Sequence, residues 1–328
     1  MNDPMEPQPP RHEPVSGATM PRFSGLATFM RLPHVVDPAA LDIAMVGVPW
    51  DGGTTNRAGA RHGPRQIRDM STFIRRLHPV TRRSPFALAR IADHGDVAVN
   101  PIDLMDTMGR IERFYARLHA AGTIPLSAGG DHLISLPILR ALGRPRPLGL
   151  IQFDAHPDTG DVYFGQSRYT HGTPFRRAVE EGLIDPKRTV QIGIRGSLYG
   201  EDDWAFSYQS GMRVIPIEEV YALGIDGVIA EARRVVADDP TYVTFDVDGL
   251  DPVYAPGTGT PEVGGFTTFE AQRMIRGLGG LNLVGADLVE VSPPFDPGGG
   301  TALVGATLMF ELLCVLADSL AARRPRDR

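Results

Sequence analysis

Short apolar runs alternate with longer stretches of helical spacing along most of this chain. Ile43–Val48 is a β-branched and apolar run that ends in the turn cluster Pro49-Trp50-Asp51-Gly52-Gly53, which predicts a strand and its exit loop. Residues 64–77 place Ile67, Met70, Phe73 and Ile74 at helical intervals. Residues 101–121 do the same with Leu104, Met108, Ile111, Phe114 and Leu118, and Pro101 stands where a first helical turn accepts it. The pattern then predicts strands over 124–126, 148–153, 190–194, 214–216, 242–245 and 284–291. Between and after them it predicts helices over 134–142, 174–183, 228–236, 269–278 and 302–321.

Strands such as Leu148-Gly149-Leu150-Ile151-Gln152-Phe153 are nearly continuous apolar runs, as expected where both faces of a sheet are covered. Alternation of such strands with helices predicts an α/β fold, a mostly parallel sheet sandwiched between helical layers. No internal repeat or composition break divides the chain. The expectation is a flexible leader over residues 1–19, rich in proline and polar residues, followed by a single domain over 20–328.

Composition narrows the function classes. Lys and Arg total 33 against 39 Asp and Glu, a formal net charge of −6, so there is no electrostatic case for nucleic acid. No run of unbroken apolar residues reaches the ~18 that a membrane span needs, so no membrane association is expected. The first 17 residues hold no apolar core of a secretory signal, and the expected compartment is the cytoplasm. The single cysteine, Cys314, lies within Leu312-Leu313-Cys314-Val315-Leu316 and reads as a core residue.

Candidate chemistry falls at the ends of the predicted strands, where open parallel sheets bind ligands. The run 124–128 leads into Gly129-Gly130-Asp131-His132, and the run 148–153 into Asp154-Ala155-His156-Pro157-Asp158. The run 242–245 leads into Asp246-Val247-Asp248, and 284–291 carries Asp287 and Glu290. Residues two apart on an extended segment point to one side, so Asp154, His156 and Asp158, with Asp246 and Asp248, can converge. With His132 they form a set of four carboxylates and two imidazoles. Such a set repels itself unless divalent cations neutralise it, and hard oxygens with imidazole and no thiolate favour Mn²⁺-like ions. Two ions ~3.5–4 Å apart acidify a water and aim it at an electrophilic carbon, so metal-assisted hydrolysis is expected. A dinucleotide site is not supported: neither Gly52-Gly53 nor Gly129-Gly130 has the G-x-G-x-x-G spacing.

These three clusters resemble the metal motifs of the ureohydrolase (arginase/agmatinase) family, in order and in approximate separation, and the resemblance runs from about residue 20 to 316. It implies a three-layer α/β/α sandwich around an eight-stranded sheet, two Mn²⁺ per subunit (with Ni²⁺ or another divalent ion as the alternative), and a homo-oligomer, trimer or hexamer. It implies that His132 and Asp158 hold one metal, His156 and Asp248 the other, and that Asp154 and Asp246 bridge them. His171, in Thr170-His171-Gly172-Thr173, matches the histidine implicated in proton transfer near the leaving amine. Asp158 is the other candidate for that proton, and Glu290 matches the carboxylate that pairs with the substrate guanidinium. A metal-dependent deacetylase, a relative in fold with one zinc, is disfavoured by the full six-ligand set. The other histidines (His12, His34, His62, His78, His94 and His119) read as structural or surface residues.

Within that family, residues 160–169 and 47–63 look most like the guanidinopropionase members, chiefly through Tyr163, whose rigid ring would shorten the pocket. The expected reaction is 3-guanidinopropanoate plus water to β-alanine plus urea. The alternatives are 4-guanidinobutanoate, agmatine, guanylurea or a biguanide, because one methylene is worth only ~1–3 kcal/mol of discrimination. Arg168 is the first candidate for pairing with a substrate carboxylate, and Arg57 the second. The glycine- and proline-rich loop 255–265 is expected to frame the entrance.

Overall fold

The structure is a computed structural model that describes residues 12–324. Among the described residues eight strands and eight α-helices alternate: β1 (Ile43–Val48), α1 (Gly63–Met70), β2 (Ile91–Asp96), α2 (Leu104–Ala120), β3 (Ile124–Gly129), α3 (Ser135–Gly143), β4 (Leu148–Phe153) and α4 (Pro174–Glu180). The second half continues with β5 (Ile184–Ile194), α5 (Ala205–Ser210), β6 (Arg213–Pro216), α6 (Ile217–Val236), β7 (Thr241–Asp246), α7 (Thr268–Gly277), β8 (Leu283–Val289) and α8 (Gly300–Arg323). The strands form one sheet in the order β2-β1-β3-β8-β7-β4-β5-β6. Every neighbouring pair is parallel. Helices α1, α6, α7 and α8 cover one face and α2, α3 and α4 the other, which is the expected α/β/α sandwich.

This strand order decides where chemistry collects. After β3 the chain jumps past the sheet centre to β4, builds outward to β6, and returns through β7 and β8 to close the gap. The four strands whose exits carry the candidate residues, β3, β8, β7 and β4, are therefore adjacent. Reversals of strand order open a crevice at the carboxyl ends, where ligands bind.

Several boundaries depart from the expected ones for local reasons. The helix read over 64–77 stops at Met70, because the Ser71 hydroxyl donates back to the Arg68 carbonyl (2.7 Å) and accepts the Met30 amide (2.6 Å). The helix read from 101 starts at Leu104, because the Asp103 carboxylate caps it by accepting the Asp106 amide at 2.9 Å. The edge strand β2, with its sequence IADHGD, and the short helix α5 lacked a legible apolar pattern. The strand read over 284–291 ends at Val289, and Glu290 turns out of it with φ 66°.

Helix α8 is the most apolar of the long helices among the described residues. It has 24 residues, and its most apolar 18-residue window has a mean hydropathy of 1.9, enough by length and composition to cross a membrane, although Glu311 and Asp318 interrupt the helix. Its most apolar window is 78% buried inside the protein, so it is the core helix of this layer. Cys314 sits in it and is buried, as expected. Of the leader expected over 1–19, residues 1–11 lie outside the described residues. Its later part is bound to the body: the Val15 amide donates to the Arg31 carbonyl (3.3 Å), and the Arg31 guanidinium returns a bond to the Val15 carbonyl (3.2 Å).

Candidate metal centre

The turn after β3 can approach the end of β1 only because residue 130 is glycine: a Cβ there would collide with the carbonyl oxygens of Trp50 and Val48. The Gly130 amide donates to Val48 and the Asp131 amide to Trp50 (3.0 and 2.8 Å). Asp131 then caps the next turn, accepting the Leu133 amide (3.1 Å), and its other oxygen accepts the Gly53 amide (2.6 Å). This delivers His132, fully buried, over the ends of β4 and β7. Its Nδ1 lies 3.1 Å from Asp154, 2.9 Å from Asp158 and 3.2 Å from Asp246. Across Asp154, His156 Nδ1 stands 3.0 Å from Asp248 and 3.7 Å from the second Asp154 oxygen. Two ligand triads result, His132-Asp154-Asp158 and Asp154-His156-Asp248, with Asp154 common to both. Asp246 completes the six residues expected from sequence.

The residues fit divalent cations on grounds internal to this structure. His132 Nδ1 is buried among three carboxylates yet makes no hydrogen bond of acceptable geometry. Burial and mutual repulsion push the carboxyls of Asp246 and Asp248 above the usual range, and that of Asp158 up to about 6. Burial also disfavours ionised Asp154, but the two imidazoles beside it pull its carboxyl below the usual range. Burial alone would lower both imidazoles, and the carboxylates instead lift them well above their ordinary value. The chain therefore gathers more buried negative charge than its own groups neutralise, and two divalent ions are the natural complement.

Beneath this centre runs a row of buried polar side chains of which sequence reasoning picked out only Asp287. Ser127, Asp287, Thr244, Gln152 and Gln191 stand in register across β3, β8, β7, β4 and β5, and all five are fully buried. Gln191 donates to Gln152 (2.7 Å), and Gln152 donates to Asp154 (2.8 Å). Thr244 lies 2.8 Å from His132 Nε2. Such partners set the tautomer and aim of a metal ligand. The signal was present: each is a polar residue inside an otherwise apolar strand.

Glu290, directly after β8, has φ 66°, and Asp158, beyond the end of β4, has φ 51°, so two non-glycine backbones are held in the left-handed region at one site. Glu290 Oε1 accepts the His132 amide and faces His171 Nδ1, both at 2.9 Å. Its Oε2 is buried with no hydrogen-bond partner. Burial alone would lower the His171 imidazole, but the Glu290 charge prevails and pushes it up to about 9. The far ring nitrogen of His171 meets the Thr55 hydroxyl at 2.7 Å, a partner the sequence did not indicate.

A cavity of about 800 Å³ opens over these residues, bounded by His156, Asp158, His171, Tyr163 and the loop at Thr260–Glu262, so the loop 255–265 does frame it. Tyr163 is wedged over Gly160 and Gly172; a Cβ at Gly172 would stand 2.6 Å from its hydroxyl. Arg168 does not line this cavity. Its guanidinium is half exposed, 3.0 Å from Glu180 at the end of α4 and 3.9 Å from Asp161 within its own loop. This reverses the expected ranking of the two arginines: Arg57, the second candidate, is on the wall.

Comparison with known proteins agrees with this geometry. The profile of the arginase family matches residues 41–314. The chain belongs to the arginase family. It is 65% identical over 309 residues to a guanidinopropionase of Pseudomonas aeruginosa, covering 94% of this chain and 97% of that protein. It is 50% identical to a guanidinobutyrase of the same organism, covering 93% and 97%. The solved structure of proclavaminate amidinohydrolase from Streptomyces clavuligerus superposes with a TM-score of 0.88 at 39% identity, covering 91% of this chain and 99% of that one. As an arginase-family hydrolase the chain has a binuclear centre for divalent metal ions, and the two triads sharing Asp154 are its candidate ligands.

Proposed function

We propose that this protein hydrolyses the guanidino group of 3-guanidinopropanoate, releasing urea and β-alanine. The observation that carries the reading is the unpartnered Glu290 Oε2, buried beside the two triads. A buried carboxylate oxygen without a donor is costly, and the flat fork of a guanidinium N–H pair satisfies it. The similarity to a guanidinopropionase over nearly the whole chain supports the choice of substrate within the class.

His132, Asp154, Asp158, His156, Asp246 and Asp248 would hold the two ions, which supply Lewis-acid charge and lower the pKa of a nearby water. We assign Mn²⁺ from the donor set of carboxylates and imidazoles without thiolate. Glu290 fixes the plane of the substrate, and its own aim is held by the His132 amide and His171. His171, lifted toward the protonated form by that carboxylate, is placed to give a proton to the departing amine as the carbon–nitrogen bond breaks. Asp158 is the other group that can deliver it. Thr55 holds the far side of the His171 ring, so the imidazole has one orientation. Exposed apolar residues at the cavity mouth, Val162, Phe164, Leu198 and Tyr199, support packing against further copies as a trimer or hexamer.

The test is urea release by the Mn²⁺-loaded protein from 3-guanidinopropanoate, 4-guanidinobutanoate, agmatine and guanylurea. The highest kcat/KM is expected on 3-guanidinopropanoate. A different leading compound overturns the substrate, and no urea from any of them, with Mn²⁺ or Ni²⁺, overturns the activity.

A further inference from the structure

We infer that Arg57 grips the carboxylate at the tail of the substrate, an assignment that rests on the guanidino-acid reading above. Two arginines line the cavity, Arg57 and Arg195. Arg195 is spent: its guanidinium donates to the carbonyls of Asp248 and Glu262 (both 2.7 Å), Gly249 and Val263 (both 3.1 Å), among others, and so clamps the loop beside the metal centre. Arg57 is exposed and has no ion pair among the described residues; its guanidinium rests 5.1 Å above the centre of the Phe295 ring. A cation on an aromatic face keeps its N–H edge free for a planar acceptor.

The position also fits. Arg57 follows Thr55, which holds His171, and Asn56, whose side chain donates to the Gly259 carbonyl at 3.2 Å. A Cβ on Gly259 would stand 3.4 Å from the Arg57 carbonyl and 3.5 Å from Glu290 Oε2. The arginine backbone and the guanidinium seat thus flank one point, and the bare glycine leaves that point open. In 3-guanidinopropanoate the guanidinium and carboxylate carbons are roughly 5 Å apart when extended. The long Arg57 side chain can cover that span. The acids on the cavity wall are already engaged: Asp203 accepts the Tyr199 amide at 2.5 Å, and Glu262 faces His156 at 4.0 Å.

The experiment uses Mn²⁺-loaded protein and pairs 3-guanidinopropanoate with propylguanidine, which lacks the carboxylate. Arg57→Met should lower kcat/KM on the acid by roughly ten- to hundredfold, mainly through KM. Its activity on propylguanidine should stay within about twofold, and Arg57→Lys should recover part of the loss by restoring the charge. The thermal shift that 3-guanidinopropanoate produces in the wild-type protein should shrink in Arg57→Met, a reading independent of turnover. Equal losses on both substrates, or an unchanged KM and thermal shift, overturn the assignment. So does a selective loss in Arg168→Met in place of Arg57→Met. A wild-type protein that neither hydrolyses nor is stabilised by 3-guanidinopropanoate defeats the underlying activity instead, which separates the two failures.

Discussion

His78 and His132 are both buried among ionisable partners, one beneath α8 and the other at the carboxyl ends of the strands. His78 accepts the amides of Val80 and Thr81 on Nδ1 (3.2 and 3.1 Å) and donates from Nε2 to Glu311 (3.1 Å). The same Glu311 oxygen is 3.2 Å from the Arg276 guanidinium, so one carboxylate meets one permanent cation. The His78 ring also lies parallel to Phe310, with centroids 5.9 Å apart. Around His132 the balance is broken, since three carboxylates crowd a nitrogen that makes no hydrogen bond. A buried cluster that satisfies itself braces the fold, and one that cannot is built for something that arrives from outside.

The largest effect that would test this contrast is at the shared ligand. Asp154→Ala should cut urea release by at least about a thousandfold, since the metal centre supplies several kcal/mol. Bound metal should fall from two ions per chain to one or fewer by elemental analysis. A variant that retains both ions, or most of its activity, would break the reading of the His132 cluster.

The next effect is in pH. The His171 imidazole sits above its unfolded value near 6.5, pushed up to about 9 by Glu290. Its pairing therefore contributes fully below pH 6.5 and is lost as pH rises through about 9, a change of up to about 3 kcal/mol. Urea unfolding of the wild-type protein and Glu290→Gln should diverge at pH 6 and converge near pH 10. Parallel curves would show that the Glu290 charge does not hold the His171 proton.

The smallest effect belongs to the self-satisfied cluster. His78→Leu removes the one acceptor of two backbone amides and the Glu311 contact, and should cost about 2 kcal/mol of stability by denaturant titration. The kcat and metal content should not move. A selective loss of activity in that folded variant would mean that the two clusters are not distinct in kind.

The fold and the ligand set were legible because each is a short-range signal. Continuous apolar strands reported a two-sided burial, and D-x-H-x-D and D-x-D placed carboxylates on one side of a strand exit. Less legible were β2, whose IADHGD carries charge because it is an edge strand, and the helix stop at Ser71, which depends on the Met30 amide 41 positions away. The row from Ser127 to Gln191 was visible only as isolated polar residues, because register across five strands is not written in any one of them.

The amino-acid sequence by itself determined the layered parallel fold, the six candidate metal ligands, and the presence of His171 and Glu290 in one family pattern. Periodicity and residue spacing act over a few positions and suffice for the layers and the ligand clusters, whereas His171 and Glu290 were picked out by the family resemblance. Only the tertiary structure decided that Arg57 faces the cavity while Arg168 turns to Glu180, and that Thr55 holds His171. It also decided that one oxygen of Glu290 is left open. These depend on which loops meet over the sheet, and strand order sets that, bringing residues more than a hundred positions apart to within hydrogen-bond distance.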